Sequence, residues 1–216
     1  MTKPQPRTGQ LVSRQTRRER GTPIPVETKR VTLQDGSAGT VSSLSLATAE
    51  VPERSYLAEA CTVAYENHAL ALVFAQPKIG GKGLRSLLLI TMTPSAATLF
   101  IRSVEEMDSP TLTDIARMTD IESEPLMKFP DEEPVQTATF IANIAAVAVS
   151  GREVTIDFYH ANAFSYLHMR FERSLYLEPV VRVNLRTSQF LSLMDRMKEL
   201  RAAFPSADRD PIEEKP

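Results

Sequence analysis

The stretch Tyr56–Gln76, YLAEACTVAYENHALALVFAQ, lies without a gap on Phe140–His160, FIANIAAVAVSGREVTIDFYH, at an offset of 84 residues. Ala58/Ala142, Val63/Val147, Ala64/Ala148 and Phe74/Phe158 are identical, and twelve of the 21 aligned positions are apolar in both copies. An echo at a fixed period marks one supersecondary unit used twice. That decides the architecture before any single element is assigned.

The first copy reads as three strands and a helix. Leu57–Tyr65 is the first strand, Glu66-Asn67-His68 a turn, and Ala69–Ala75 the second strand, with Leu70, Leu72 and Phe74 on one face by the period of two. After the loop Gln76–Gly83, the apolar run Leu84–Thr93 has the pattern of a strand buried on both faces. Thr93-Pro94 is a helix start, because threonine accepts backbone N–H groups and a first-turn proline lacks only a donor that would go unused. Ala97, Phe100, Ile101 and Val104 then repeat at the spacing of one helix face.

The second copy keeps the order. Ile141–Val149 is its first strand and Ser150-Gly151 a tight turn. Val154, Ile156 and Phe158 point inward, against Glu153, Thr155 and Asp157 outward. A third strand alternates Val181, Val183 and Leu185 against Arg182, Asn184 and Arg186. A helix from Thr187-Ser188 carries Phe190, Leu193, Met194 and Met197. The helices match at an offset of 93, so nine extra residues fall in the loop Ala161–Glu178, which holds Phe164, Tyr166, Phe171 and Tyr176.

A lone three-stranded sheet with one helix leaves an edge and a face open, whereas two such units bury them against each other. The fold class expected is α+β: tandem β-β-β-α repeats forming one pseudo-two-fold symmetric domain, with antiparallel sheet and helices packed on it. Repeat one spans 50–107, an acidic linker 108–134, repeat two 135–204 and a charged tail 205–216. Residues 1–49 are expected to form a disordered basic arm, relieved only by a weak hairpin at 31–46 around Asp35-Gly36.

Charge is distributed unevenly over the 216 residues. The net charge is −2, yet residues 1–30 carry eight basic against two acidic side chains, and residues 105–133 carry ten acids against Arg117 and Lys128. A basic arm of this kind attracts acidic partners. No apolar run reaches the roughly 18 residues of a membrane span, and the start lacks the apolar core of a secretory signal. The single cysteine excludes an intrachain disulfide framework and suits a reducing cytoplasm.

The residues offer no reaction centre. His68, His160 and His168 form no ligand pair, and Cys61 sits mid-strand, where a small thiol packs as a hydrophobe. In Ile79-Gly-Gly-Lys-Gly83 the lysine precedes glycine and a strand, not the Ser or Thr and helix of a phosphate cradle. Glu153 and Asp157 are four strand residues apart, roughly 13 Å, too far for paired acid–base work. No catalytic residue, metal or cofactor is assigned.

Phe140-Ile-Ala-Asn143-Ile and Glu153-Val-Thr-Ile-Asp157-Phe158 resemble the motifs of an uncharacterised bacterial family of about 100-residue β-β-β-α domains. Copy one departs from them, with Glu59, Ala69 and Val73 at the Asn, acidic and Asp positions. The resemblance implies a fold, a bacterial or phage origin and a binding role confined to copy two. The order of elements is also similar in topology to SecB-type export chaperones. The expected function is a non-enzymatic, cytoplasmic protein for protein binding, self-association or assembly, whether adaptor, structural or chaperone-like. Its partner-binding residues are expected to be Phe164, Tyr166, Phe171 and Tyr176 in the long loop, with Arg17, Arg18 and Arg20 in the arm. The alternative is nucleic-acid binding through residues 1–30. An enzyme would need a polar pocket around His160 and His168.

Overall fold

The computed structural model describes residues 21–32, 38–80, 83–106 and 137–205. The first half contributes β3 (Ser55–Leu57), β4 (Ala60–Glu66), β5 (Ala69–Pro77), β6 (Leu84–Met92) and helix α1 (Pro94–Glu105). The second contributes β7 (Ala138–Ile141), β8 (Ile144–Ser150), β9 (Glu153–His160), helix α2 (Ala163–Glu172), β10 (Ser174–Arg186) and helix α3 (Thr187–Arg201). A hairpin of β1 (Thr22–Thr32) and β2 (Ala38–Leu44) precedes them. The chain is therefore of mixed α+β class, with antiparallel sheets and packed helices.

One sheet has the order β4-β5-β6-β7, and the other β2-β1-β10-β9-β8, with β3 also on β10. The ladders of the two halves match residue for residue at the sequence offsets. Val63 faces Leu72 as Val147 faces Ile156, and Leu72 faces Ile90 as Ile156 faces Val183.

The expected single first strands are each split in two. β3 lies parallel to β10 of the other half, and β7 lies parallel to β6. The breaks fall at Ala58–Glu59 and Ala142–Asn143, where the chain changes sheets. There the Ala58 N–H donates to Asn184 O at 2.8 Å and the Ala142 N–H donates to Thr91 O at 3.1 Å. Both alanines are 1% exposed. A small buried residue thus stands at both corners, and Ala58/Ala142 is one of the four identities. The helices reach across as well: α1 packs on β8 and α3 on β4.

The buried faces of both halves meet in one core. Phe74 and Phe158, equivalent in the repeat, stand edge to face at 6.3 Å between ring centres, and Phe100 lies 6.4 Å from Phe158. The expected stripes Ala97, Phe100, Ile101 and Val104, and Phe190, Leu193, Met194 and Met197, are all buried in it. Thr93 caps α1, accepting from the Ala96 N–H at 3.3 Å.

Two expectations are corrected. Part of the supposed arm is an ordered hairpin, longer than the 31–46 expected and starting nine residues earlier. Pro23 and Pro25 fall where β1 pairs with β10 alone, so its other side is an edge there. Val26 N–H donates toward β10, to Arg173 O at 2.9 Å, so by strand alternation Pro23 and Pro25 would point their missing donors away from β10. Gly21, at φ +70°, admits no side chain because a Cβ would lie 2.3 Å from Leu177 O. The supposed loop Ala161–Glu178 is also ordered, as α2 and the start of β10.

Candidate interaction surface

Helix α2 is set by local chemistry at both ends. Asn162 is its N-cap, with Oδ1 accepting from the Ser165 N–H at 2.9 Å. Arg173 ends it in the left-handed conformation at φ 50°, donating its N–H to Met169 O at 3.1 Å. Asn143 fixes where the helix begins: its amide accepts from the Ala161 N–H at 2.8 Å and donates to Ala161 O at 2.7 Å. The Asn of the repeat motif thus holds its own chain in place.

The side chains on this helix are distributed in reverse of the usual pattern. Ser165 is 4% exposed, whereas Phe164 is 73%, Leu167 56% and Phe171 84% exposed. Positions 164, 167 and 171 follow i, i+3, i+7, so they share one face. Beneath the helix, Met169 packs on a small second core of Ile24, Val26, Tyr159, Ala161, Leu175 and Leu177, which also anchors the hairpin. The helix is therefore seated on one side and apolar on the other.

Of the residues expected to bind partners, Phe164, Tyr166 and Phe171 all lie on α2, with Tyr166 off the face that Phe164 and Phe171 share. Tyr166 is 42% exposed, and partial burial pushes its phenol up. Tyr176 lies on β10 and is half-buried, its hydroxyl donating to Glu172 Oε2 at 2.7 Å. Arg17, Arg18 and Arg20 lie outside the described residues. Leu167 was not singled out from the sequence, although its spacing from Phe164 and Phe171, behind an Asn cap, is a readable helical signal.

Cys61, Asp157 and Tyr159 are engaged structurally. Cys61 is fully buried beside Gln189, and burial pushes its thiol up to about 12, so it stays protonated near neutral pH. Asp157 accepts two hydrogen bonds from Arg182, at 2.6 and 2.7 Å. Tyr159 beside them is held above its usual range, first by burial and then by the Asp157 charge. His160 ends β9 opposite Glu178 in the ladder.

An open cleft of about 380 Å³ lies between Glu50, Glu53, Arg54, Phe140, Pro179 and Val180. Two of its lining residues meet, the Arg54 guanidinium sitting 5.7 Å from the Phe140 ring centre. Among the described residues no helix is long and apolar enough to cross a membrane. No family model matches this chain, and no curated protein matches it.

Proposed function

We propose that this protein is a non-enzymatic binding or assembly protein that engages an apolar segment of a protein partner through the outer face of α2. The observation that carries this is the exposure of Phe164, Leu167 and Phe171 on one helical face. Fully burying such a side chain is worth about 1.5–3 kcal/mol, so three of them make a compact anchor set. The tandem β-β-β-α body, read as a duplicated bacterial or phage unit, serves as a rigid mount. Caps at both ends of α2 and the core beneath it keep the anchors in place without a partner.

The test is affinity purification of the full chain from its native cell, set beside the Phe164→Ser/Leu167→Ser/Phe171→Ser variant. The variant should keep the native circular dichroism, because all three side chains already face water. A protein retained by the native chain and lost with the variant is the expected result. Identical retention by both would remove the proposal.

The nucleic-acid alternative has a narrower basis than the sequence alone offered. Lys29 and Arg30 are exposed on β1, paired in the ladder with Val41 and Thr40. A phosphate-binding arm would have to combine this ribbon with residues 1–20.

A further inference from the structure

Strand β10 lies between β1 and β9 in its sheet. On the side away from β9 it pairs with β1 over residues 174–177 and with β3 over 182–184. Between them, residues 178–181 have no paired strand on that side among the described residues. The break is roughly 13 Å of open strand edge. The cleft of about 380 Å³ opens at this break. Pro179 and Val180 of β10 and Phe140 of β7 give it a half-buried apolar wall. Glu50, Glu53 and Arg54, which lead into β3, supply its charges.

Those charges do not cancel. Arg54 lies against the Phe140 ring. Among the described residues neither Glu50 nor Glu53 forms an ion pair. Two carboxylates beside an apolar wall suit a guanidinium on a long stem, because its head bonds to the carboxylates while its methylenes cover the wall.

The start of β1 points at this cleft. β1 runs antiparallel to β10 and begins at Thr22, opposite Leu177. Gly21 lies against the Leu177–Glu178 peptide, one residue short of Pro179. The Thr22 hydroxyl donates to Glu50 Oε2 at 3.2 Å, which ties the start of the strand to the cleft. Attached there are residues 1–20, with six basic side chains against Glu19 alone. Arg17, Arg18 and Arg20 fall within no more than about 14 Å of chain from Gly21. We propose that the cleft seats the chain's own N-terminal arm, with the arginines of residues 17–20 paired to Glu50 and Glu53 and their stems on Pro179 and Val180.

Attachment selects that occupant. Exposed ion pairs are individually weak, so a separate arginine peptide would bind poorly. A segment joined beside the site has an effective concentration on the order of millimolar. The arm of a second copy would have to reach that concentration to compete. The site shares no residue with the exposed face of α2 and stands apart from the reading of that face.

Nuclear magnetic resonance of the full chain tests this. The backbone amides of residues 17–20 should be ordered on the nanosecond scale. Arginine Cδ protons of these residues should show Overhauser contacts to the Val180 methyls. Both signs should be lost in Glu50→Gln/Glu53→Gln, which keeps the side-chain shape and an acceptor for Thr22. Both should also fade in about 1 M salt, where the screening length falls to about 3 Å. Glu66→Gln, which removes an exposed acid from β4, and the α2 serine variant should leave the arm ordered. Should the double glutamine variant fail to fold, Arg17→Gln/Arg18→Gln/Arg20→Gln removes the same pairs from the other side and should free the arm as well. Isotope-filtered spectra of a mixture of labelled and unlabelled chains should show no contact between molecules. Mobile amides at 17–20 in the native chain, order that survives either charge-removing variant, or contacts between molecules overturns the proposal.

Discussion

Expressed separately, residues 50–106 and residues 137–205 should each be unfolded, and mixing them in equal amounts should restore one folded complex. The reason lies in the exchange between halves. Without the second half, β6 loses β7 as a neighbour and α1 loses β8 as a support. Leu70, Leu72, Leu88 and Ile90, now fully buried, would face water on a three-stranded sheet. Each such side chain forfeits about 1.5–3 kcal/mol, against a whole-domain stability of about 5–15 kcal/mol. Circular dichroism and amide proton dispersion of each fragment, then of the mixture, check this. A fragment that unfolds cooperatively by itself would show that the halves are independent.

Phe158→Ala should destabilise the chain by about 3–5 kcal/mol, as expected for a large aromatic removed from a close-packed core. Phe158 is fully buried and touches the rings of both Phe74 and Phe100. Phe74→Ala should cost a similar amount. The double variant should lose less than the sum, because both truncations open one shared cavity, with a coupling of about 0.5–3 kcal/mol. Phe164→Ala on α2 provides the contrast: with the ring 73% exposed, its effect should stay within about 0.5 kcal/mol. Urea denaturation of the native chain and the four variants measures all of these terms. A cost for Phe158→Ala under about 1 kcal/mol would contradict a core shared by the two halves.

Local chemistry made much of this architecture readable. Thr93-Pro94 marked α1, the alternation from Val154 to Phe158 marked β9, and two apolar stripes marked the buried helix faces. The crossovers could not be read, because residues 55–66 and 138–150 are predominantly apolar and periodicity does not record a change of partner strand. Ala58 and Ala142 held the only trace, as identical small residues whose close packing is tertiary. Prolines 23 and 25 were misleading: proline is compatible with an edge strand as well as with a disordered arm, and the neighbour that decides, β10, is about 150 residues distant in sequence.

The interaction surface was readable in part. The aromatics of 164–171 stood out by composition, but their outward orientation depends on which face of α2 meets the second core. That face is chosen by Met169 and Ser165, neither of which the sequence marks as buried. Tyr176 was grouped with them by proximity in sequence, whereas strand geometry places it on β10 beside Glu172. The chemical contrast between the two sheets emerged only when the ladders aligned Val73 with Asp157 and Leu89 with Arg182.

Interlocking of the two halves is tested most directly by native-state hydrogen exchange in rising urea at two amides, Ala58 bonded to Asn184 O and Ala142 bonded to Thr91 O. These bonds close the two crossovers. Both amides should exchange only through global unfolding, with the same free energy and the same steep urea dependence. If one opens at lower free energy with a shallow dependence while the other stays protected, the halves come apart independently and the account fails.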